Sequence, residues 1–144
     1  MDNQAAAQQQ EFEWPPLESN PDIFTEYLHA VGMSKQWAVG EVFGFDEELL
    51  AFLPQPVVGV IVAIERLKKA DDTQKGSADL SSIVPYYQKQ HGKLDNACGI
   101  IACLHAALNN LDQIALEKDS VLEKFQQRVQ AKTPEERANE LEND

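Results

Sequence analysis

The sequence predicts an α+β domain, predominantly helical with one buried strand. Three observations lead there. Apolar residues recur at helical spacing in several segments that carry their own start and stop signals. The stretch from Ala97 to Leu108 has helical periodicity and almost no charge, which suits a helix buried nearly all round. The run Val57-Val58-Gly59-Val60-Ile61-Val62-Ala63-Ile64 is almost wholly apolar and β-branched, the pattern of a central strand buried on both faces.

The elements follow in order. Residues 1–13 are rich in Ala and Gln with little to bury, and are expected to form a mobile tail before a domain spanning 14–144. Glu13-Trp14-Pro15-Pro16-Leu17 is held extended by its prolines. Asn20-Pro21-Asp22 opens a helix, with Asn20 as cap and Pro21 at the first position. Ile23, Phe24, Tyr27, Leu28 and Val31 lie on its apolar face, and Gly32 stops it. Trp37 to Phe45 reads as a short strand or extended stretch. Asp46 to Leu53 reads as a short helix capped by Asp46 and ended by Pro54. Lys68 to Asp79 is polar and reads as a loop, and the stretch from Tyr86 to Asn96 is polar too. The apolar helix of 97–108 comes next, with Ile100, Ile101, Leu104, Ala107 and Leu108 on one face. Ser120 to Lys132 forms an amphipathic helix through Val121, Leu122, Phe125 and Val129. Thr133-Pro134-Glu135-Glu136 opens the last helix with a capping box. About two and a half turns remain before Asp144, so the domain is expected to be truncated.

Composition narrows the functional classes. The 144 residues fit one domain, and 43% hydrophobic content is enough for a core. A formal net charge of −12 disfavours nucleic-acid binding, which needs clustered basic charge. It suits a basic or mixed-charge protein partner, or simply a soluble surface. The longest apolar run is far too short to span a bilayer, and the polar N-terminus is no secretory signal. Cys98 and Cys103 lie on one helix at a spacing that does not suit a disulfide. A cytoplasmic or nuclear compartment is therefore expected.

The chemistry centres on Cys98. Asp95 or Asn96 would cap the apolar helix and place Cys98 in its first turn. Unpaired amides and the positive helix end stabilise a thiolate there and can receive an oxyanion. Gly99 leaves room beside the sulfur for a substrate backbone, and Gln90 is placed to add a second oxyanion donor. On spacing alone a Cys beside Gly is more often a small buried hydrophobe, which is the reading for Cys103.

Several ordered segments shift that balance. Trp14-Pro15-Pro16-Leu17-Glu18-Ser19-Asn20-Pro21, Trp37 with Glu41-Val42-Phe43-Gly44, and Leu53-Pro54-Gln55-Pro56-Val57 precede Asn96-Ala97-Cys98-Gly99. Leu104-His105-Ala106, Asn109-Asn110, Ser120-Val121-Leu122 and Thr133-Pro134-Glu135-Glu136-Arg137-Ala138 follow it. Together they resemble the N-terminal part of the ubiquitin C-terminal hydrolases, papain-like cysteine peptidases, in their small-hydrolase branch. The resemblance implies a papain-like fold with helices packed around a central sheet. It implies a thiol-dependent deubiquitinase with no cofactor and no metal, in which Cys98 attacks the carbonyl after ubiquitin's C-terminal glycine and forms an acyl-enzyme. The oxyanion glutamine follows an aromatic pair and a lysine, a context matched by Tyr86-Tyr87-Gln88-Lys89-Gln90. Glu18, Asp22 and Glu41 stand at acidic positions of the pattern and are candidates for ubiquitin's basic tail. For Asp22 a favourable place at a helix N-terminus is an equal alternative, and Glu18 and Glu41 could equally be solvated. Trp14 and Leu17 would touch ubiquitin or pin their segment to the core.

The chain departs from the family twice. Seven residues separate Gln90 from Cys98, two more than the pattern, so the segment 91–95 must bulge. The family's general-base histidine and orienting aspartate lie downstream of the cysteine helix, and no residue here matches either. His105 lies about two turns from Cys98, roughly 10 Å along the axis, and suits a structural role. His29 is expected to be solvated, and His91 is a poor candidate for a base. Without strands from downstream, the apolar run and the cysteine helix would expose hydrophobic surface. Two functional readings stay open: a deubiquitinase acting on small ubiquitin adducts, and a catalytically inactive ubiquitin-binding or regulatory fragment.

Overall fold

The structure, a computed structural model, describes residues 12–64 and 86–144. The expected loop at 68–79 and all but the last two residues of the expected tail lie outside the described residues. Among the described residues there are five α-helices and one 3-10 turn. They are α1 (Pro21–Val31), α2 (Glu47–Leu50), the 3-10 turn Gly92–Leu94, α3 (Cys98–Leu108), α4 (Val121–Val129) and α5 (Pro134–Glu142).

Capping accounts for most of these boundaries. Asn20 accepts a hydrogen bond from the Asp22 N–H at the start of α1. Gly32 ends α1 with φ of 115°, a left-handed conformation that a side chain resists. Ser120 caps α4 through the Glu123 N–H. α5 carries a complete capping box, with Thr133 and Glu136 each accepting from the other's backbone N–H. At α2, Asp46 takes the cap position without a side-chain hydrogen bond.

The core forms where the apolar faces meet. Phe24 and Leu28 of α1 pack with Ile100, Ile101, Cys103, Leu104, Ala107 and Leu108 of α3. Leu122, Phe125 and Val129 of α4 and Ala138 and Leu141 of α5 extend the same cluster. Val121, expected on the apolar face of α4, is exposed. Trp14 and Leu17 are half-buried against this core, so the extended N-terminal segment is pinned to the helices. Among the described residues, β pairing is limited to an isolated antiparallel bridge between Met33 and Leu116.

The expectation of a buried central strand is not met. Residues 57–64 have no regular secondary structure and no ladder partner among the described residues. Val58 and Ile61 rest against the core, whereas Val57, Val60, Val62 and Ile64 are exposed. Residues 59–62 and α3 border a groove of about 320 Å³, lined also by Ala102, His105, Ala106 and Asn110. The apolar pattern of the run is compatible with burial on both faces, but among the described residues only Val58 and Ile61 of the run pack against the core. Residues 37–45 are likewise irregular rather than a strand. They are tied to α1 by Thr25, whose hydroxyl accepts from the Val39 N–H at 2.9 Å.

Candidate active site

Cys98 is the first residue of α3, and its side chain is exposed. The expected cap by Asp95 or Asn96 does not occur. Ala97 occupies the cap position with φ of −86° and ψ of 18°, and no side chain caps the helix. The 3-10 turn explains the shift: Asp95 closes it by donating its N–H to the Gly92 carbonyl. The Ala97 N–H then bonds the Leu94 carbonyl at 2.8 Å, so the chain enters α3 through a fully buried alanine. The positive end of α3 therefore meets the thiol without an intervening carboxylate cap.

Gly99 plays a different part from the one its position suggests. A Cβ built on it would lie 3.1 Å from both the Leu17 carbonyl oxygen and the Leu17 Cβ. The space is filled by the chain's own N-terminal segment rather than left for a substrate backbone. Small size at residue 99 lets that segment cross the helix beside Cys98.

The second thiol is chemically separate. Cys103 is fully buried, and burial pushes its pKa up to about 12, which leaves it protonated at neutral pH. His105, two turns into α3, is structural. Its Nε2 accepts the Gln88 N–H at 3.1 Å, and its ring meets those of Tyr86 and Tyr87. Burial lowers its pKa, consistent with a neutral imidazole.

Gln90 reaches the segment that leads to the cysteine. Its Nε2 donates to the Leu94 carbonyl at 3.1 Å and to the Asp95 carbonyl at 2.7 Å. A side-chain amide has two N–H donors, so these bonds engage both. The segment 91–95, where a bulge is expected, contains the 3-10 turn, closed across its base by Gln90. Gln88, two residues earlier, is buried at 2% exposure and accepts from the Tyr86 hydroxyl.

α5 braces this whole segment. Arg137 is buried and donates to the carbonyls of Tyr87, Val129 and Gln130, with its guanidinium 4.9 Å from the Tyr86 ring centroid. The Lys89 N–H bonds the Pro134 carbonyl, and Lys89 Nζ pairs with Glu135 at 2.6 Å. Glu142 accepts the Lys93 N–H at 2.7 Å. The sequence reading missed Arg137, Gln88 and Glu142 as supports of the site. An arginine one turn into a capped helix is ordinary surface chemistry until its contacts some fifty residues away are known.

The remaining candidates are dispersed. His29 is not simply solvated: it is half-buried and donates Nε2–H to the Trp37 carbonyl at 2.8 Å. His91 lies 3.8 Å from Glu135. Glu18, Asp22 and Glu41 are all exposed, the first two flanking the start of α1 and the third on the stretch held by Thr25. Among the described residues no helix is long and apolar enough to cross a membrane.

Comparison with known proteins places this geometry in context. Residues 14–144 match the family described as ubiquitin carboxyl-terminal hydrolase, family 1. The chain is 37% identical over 134 residues to a ubiquitin carboxyl-terminal hydrolase of Aplysia californica, covering 91% of this chain and 61% of that protein. It is 37% identical over 137 residues to ubiquitin carboxyl-terminal hydrolase 3 of Arabidopsis thaliana, with 91% and 58% covered. A probable ubiquitin carboxyl-terminal hydrolase of Dictyostelium discoideum is 33% identical over 136 residues, with 89% and 52% covered. The chain thus spans between about half and three-fifths of the length of these curated relatives.

Proposed function

Because the chain belongs to family 1 of the ubiquitin carboxyl-terminal hydrolases, we propose that it is the cysteine-bearing part of a deubiquitinase. The reaction is hydrolysis of the bond after ubiquitin's C-terminal glycine, on small adducts, in the cytoplasm or nucleus. One observation carries the reading: Cys98 is an exposed thiol at the uncapped start of a buried helix.

In this scheme a base takes the thiol proton and sulfur attacks the glycine carbonyl carbon. The carbon–oxygen π pair moves to oxygen, which draws on the amides at the start of α3. Collapse of this adduct breaks the carbon–nitrogen bond, and the amine leaves with the proton. Water then attacks the thioester, releasing ubiquitin's carboxylate and restoring the thiol. Gln90 is the proposed second donor to the oxyanion, and must release one of its two carbonyls to serve. Glu18, Asp22 and Glu41 are the proposed partners of ubiquitin's basic tail. His29 and His105 are engaged elsewhere and His91 sits beside Glu135, so none is proposed as base. The resemblance assigns that role, and the orienting aspartate, to sequence downstream of the cysteine helix.

A second reading, ubiquitin binding without turnover, draws support from the double engagement of the Gln90 amide. The test is labelling of the 144-residue chain by ubiquitin carrying a C-terminal thiol-reactive group. A one-to-one adduct that disappears in Cys98→Ala supports the hydrolase. A folded, soluble chain that binds ubiquitin but forms no adduct supports the second reading.

A further inference from the structure

We propose that Glu142 is a positioning residue for the candidate active site. From the last turn of α5 it holds the turn Gly92–Leu94, and through that turn the loop from Gln90 to Cys98. The catalytic half of this proposal rests on the hydrolase reading above.

The turn is gripped from two sides at one residue. The Lys93 N–H donates to Glu142 Oε1 at 2.7 Å, and the Lys93 carbonyl accepts the Trp14 N–H at 2.9 Å. Gly92 has a φ of 58°, and a Cβ there would collide with the Glu142 carboxylate, so the glycine serves both the turn and the approach of Glu142. Leu94 anchors the turn in the core with no exposed surface. Its carbonyl and that of Asp95 receive the Gln90 amide, and its carbonyl also receives the Ala97 N–H that leads into α3. Two hydrogen bonds joined by the backbone from Lys93 to Leu94 therefore connect Glu142 to Ala97, the residue before the thiol.

Helix stability does not account for a carboxylate at this position. The C-terminal turn of a helix presents negative partial charge, so an acid there is disfavoured. α5 has no basic residue in its last turn to offset it. The Lys93 N–H is the partner that gives Glu142 its purpose. α5 can act as the fixed end because Ala138 and Leu141 are buried and Arg137 ties it to α4 and to Tyr87.

The test uses Glu142→Ala and Glu142→Gln in the 144-residue chain. Gln keeps an oxygen acceptor for the Lys93 N–H, whereas Ala does not. The first readout is amide hydrogen exchange. In Glu142→Ala, exchange over 91–97 should rise about tenfold while 100–108 stays unchanged, and Glu142→Gln should behave as wild type. The second is reaction with ubiquitin bearing a C-terminal aldehyde. Here the thiol adds across the carbonyl: a sulfur–carbon bond forms, the thiol proton ends on oxygen, and nothing leaves. The chemical step should slow about five- to tenfold in Glu142→Ala with ubiquitin affinity held within about twofold, and Glu142→Gln should restore it. Alkylation by iodoacetamide, a displacement with no oxyanion, should stay within about twofold in both variants.

Unchanged exchange in Glu142→Ala, or equal defects in both variants, would overturn the proposal. So would an iodoacetamide rate that falls in step with aldehyde addition, which would indicate a less nucleophilic sulfur rather than a displaced loop. A wild-type chain that forms no aldehyde adduct defeats the hydrolase reading and the catalytic half of the proposal with it. The exchange result then decides the clamp alone.

Discussion

Cys98 and Cys103 share a helix yet differ in exposure and in surroundings. One is exposed at the helix start; the other is sealed among apolar neighbours with its pKa pushed up to about 12. Iodoacetamide at about pH 8 should therefore modify Cys98 in the native chain, and Cys103 only after unfolding. Mass spectrometry of the alkylated peptides checks this. Cys103→Ala should leave adduct formation intact and cost about 1 kcal/mol of stability, read from a urea midpoint, because it removes one buried heavy atom. His105 supplies a pH dependence. Burial lowers its pKa below the ordinary value of 6.5, so the unfolded chain takes up the proton more readily. Stability from this group is full above that ordinary value and is lost as pH falls through the folded value. The urea midpoint should thus drop between about pH 7.5 and 5, and the drop should shrink in His105→Gln. The division between the cysteines was legible in the sequence, because apolar neighbours at helical spacing surround one of them. The burial of Gln88 was not. It depends on Tyr86 and His105 closing over a residue that sits in a polar run.

Helices declared themselves through their ends. Asn20-Pro21, Ser120 and Thr133-Pro134-Glu135-Glu136 each start a helix within a residue of the expected place, because the capping bond is local and its partners are adjacent in sequence. Thr133→Ala should remove one half of the α5 capping box and cost about 1 kcal/mol, measured by urea unfolding. If α5 is the brace described above, the same variant should also raise exchange in 91–97. Gly32 is a stricter case. A side chain there must adopt a φ of 115° and meets Ser120, which caps α4. Gly32→Ala should cost at least about 2 kcal/mol by the same measurement, through strain and loss of the α1–α4 contact. The run at 57–64 and the 3-10 turn resisted sequence reading for one shared physical reason. Pairing of an extended segment, and the support of a short turn, come from residues distant in the chain. Hydrophobic pattern gives a strand's preference for burial but not its partners, and the supports at Trp14 and Glu142 lie on opposite flanks of the turn.

For the whole molecule the decisive contrast is between a net charge of −12 and the uncharged apolar run 57–64. Nothing between Val57 and Ile64 carries charge, and Val60 is 72% exposed. Such an exposed apolar run favours association even when long-range repulsion opposes it. Val60→Lys should lower light scattering of concentrated chain several-fold and leave the far-ultraviolet circular dichroism of the helices unchanged. Family and helical content were legible at this scale, and the arrangement of the apolar run was not. The brace between α5 and the cysteine loop has a bearing on synthesis. Glu142 and Lys93 lie 49 residues apart, and Arg137 and Tyr87 lie 50 apart. A ribosome adding ~5–20 residues per second delivers the thiol roughly 2–9 seconds before the helix that bonds to its loop. During that interval the nascent chain carries Cys98 without the hydrogen bonds that α5 makes to Tyr87, Lys89 and Lys93, so this part of the fold can close only after the last helix has been made.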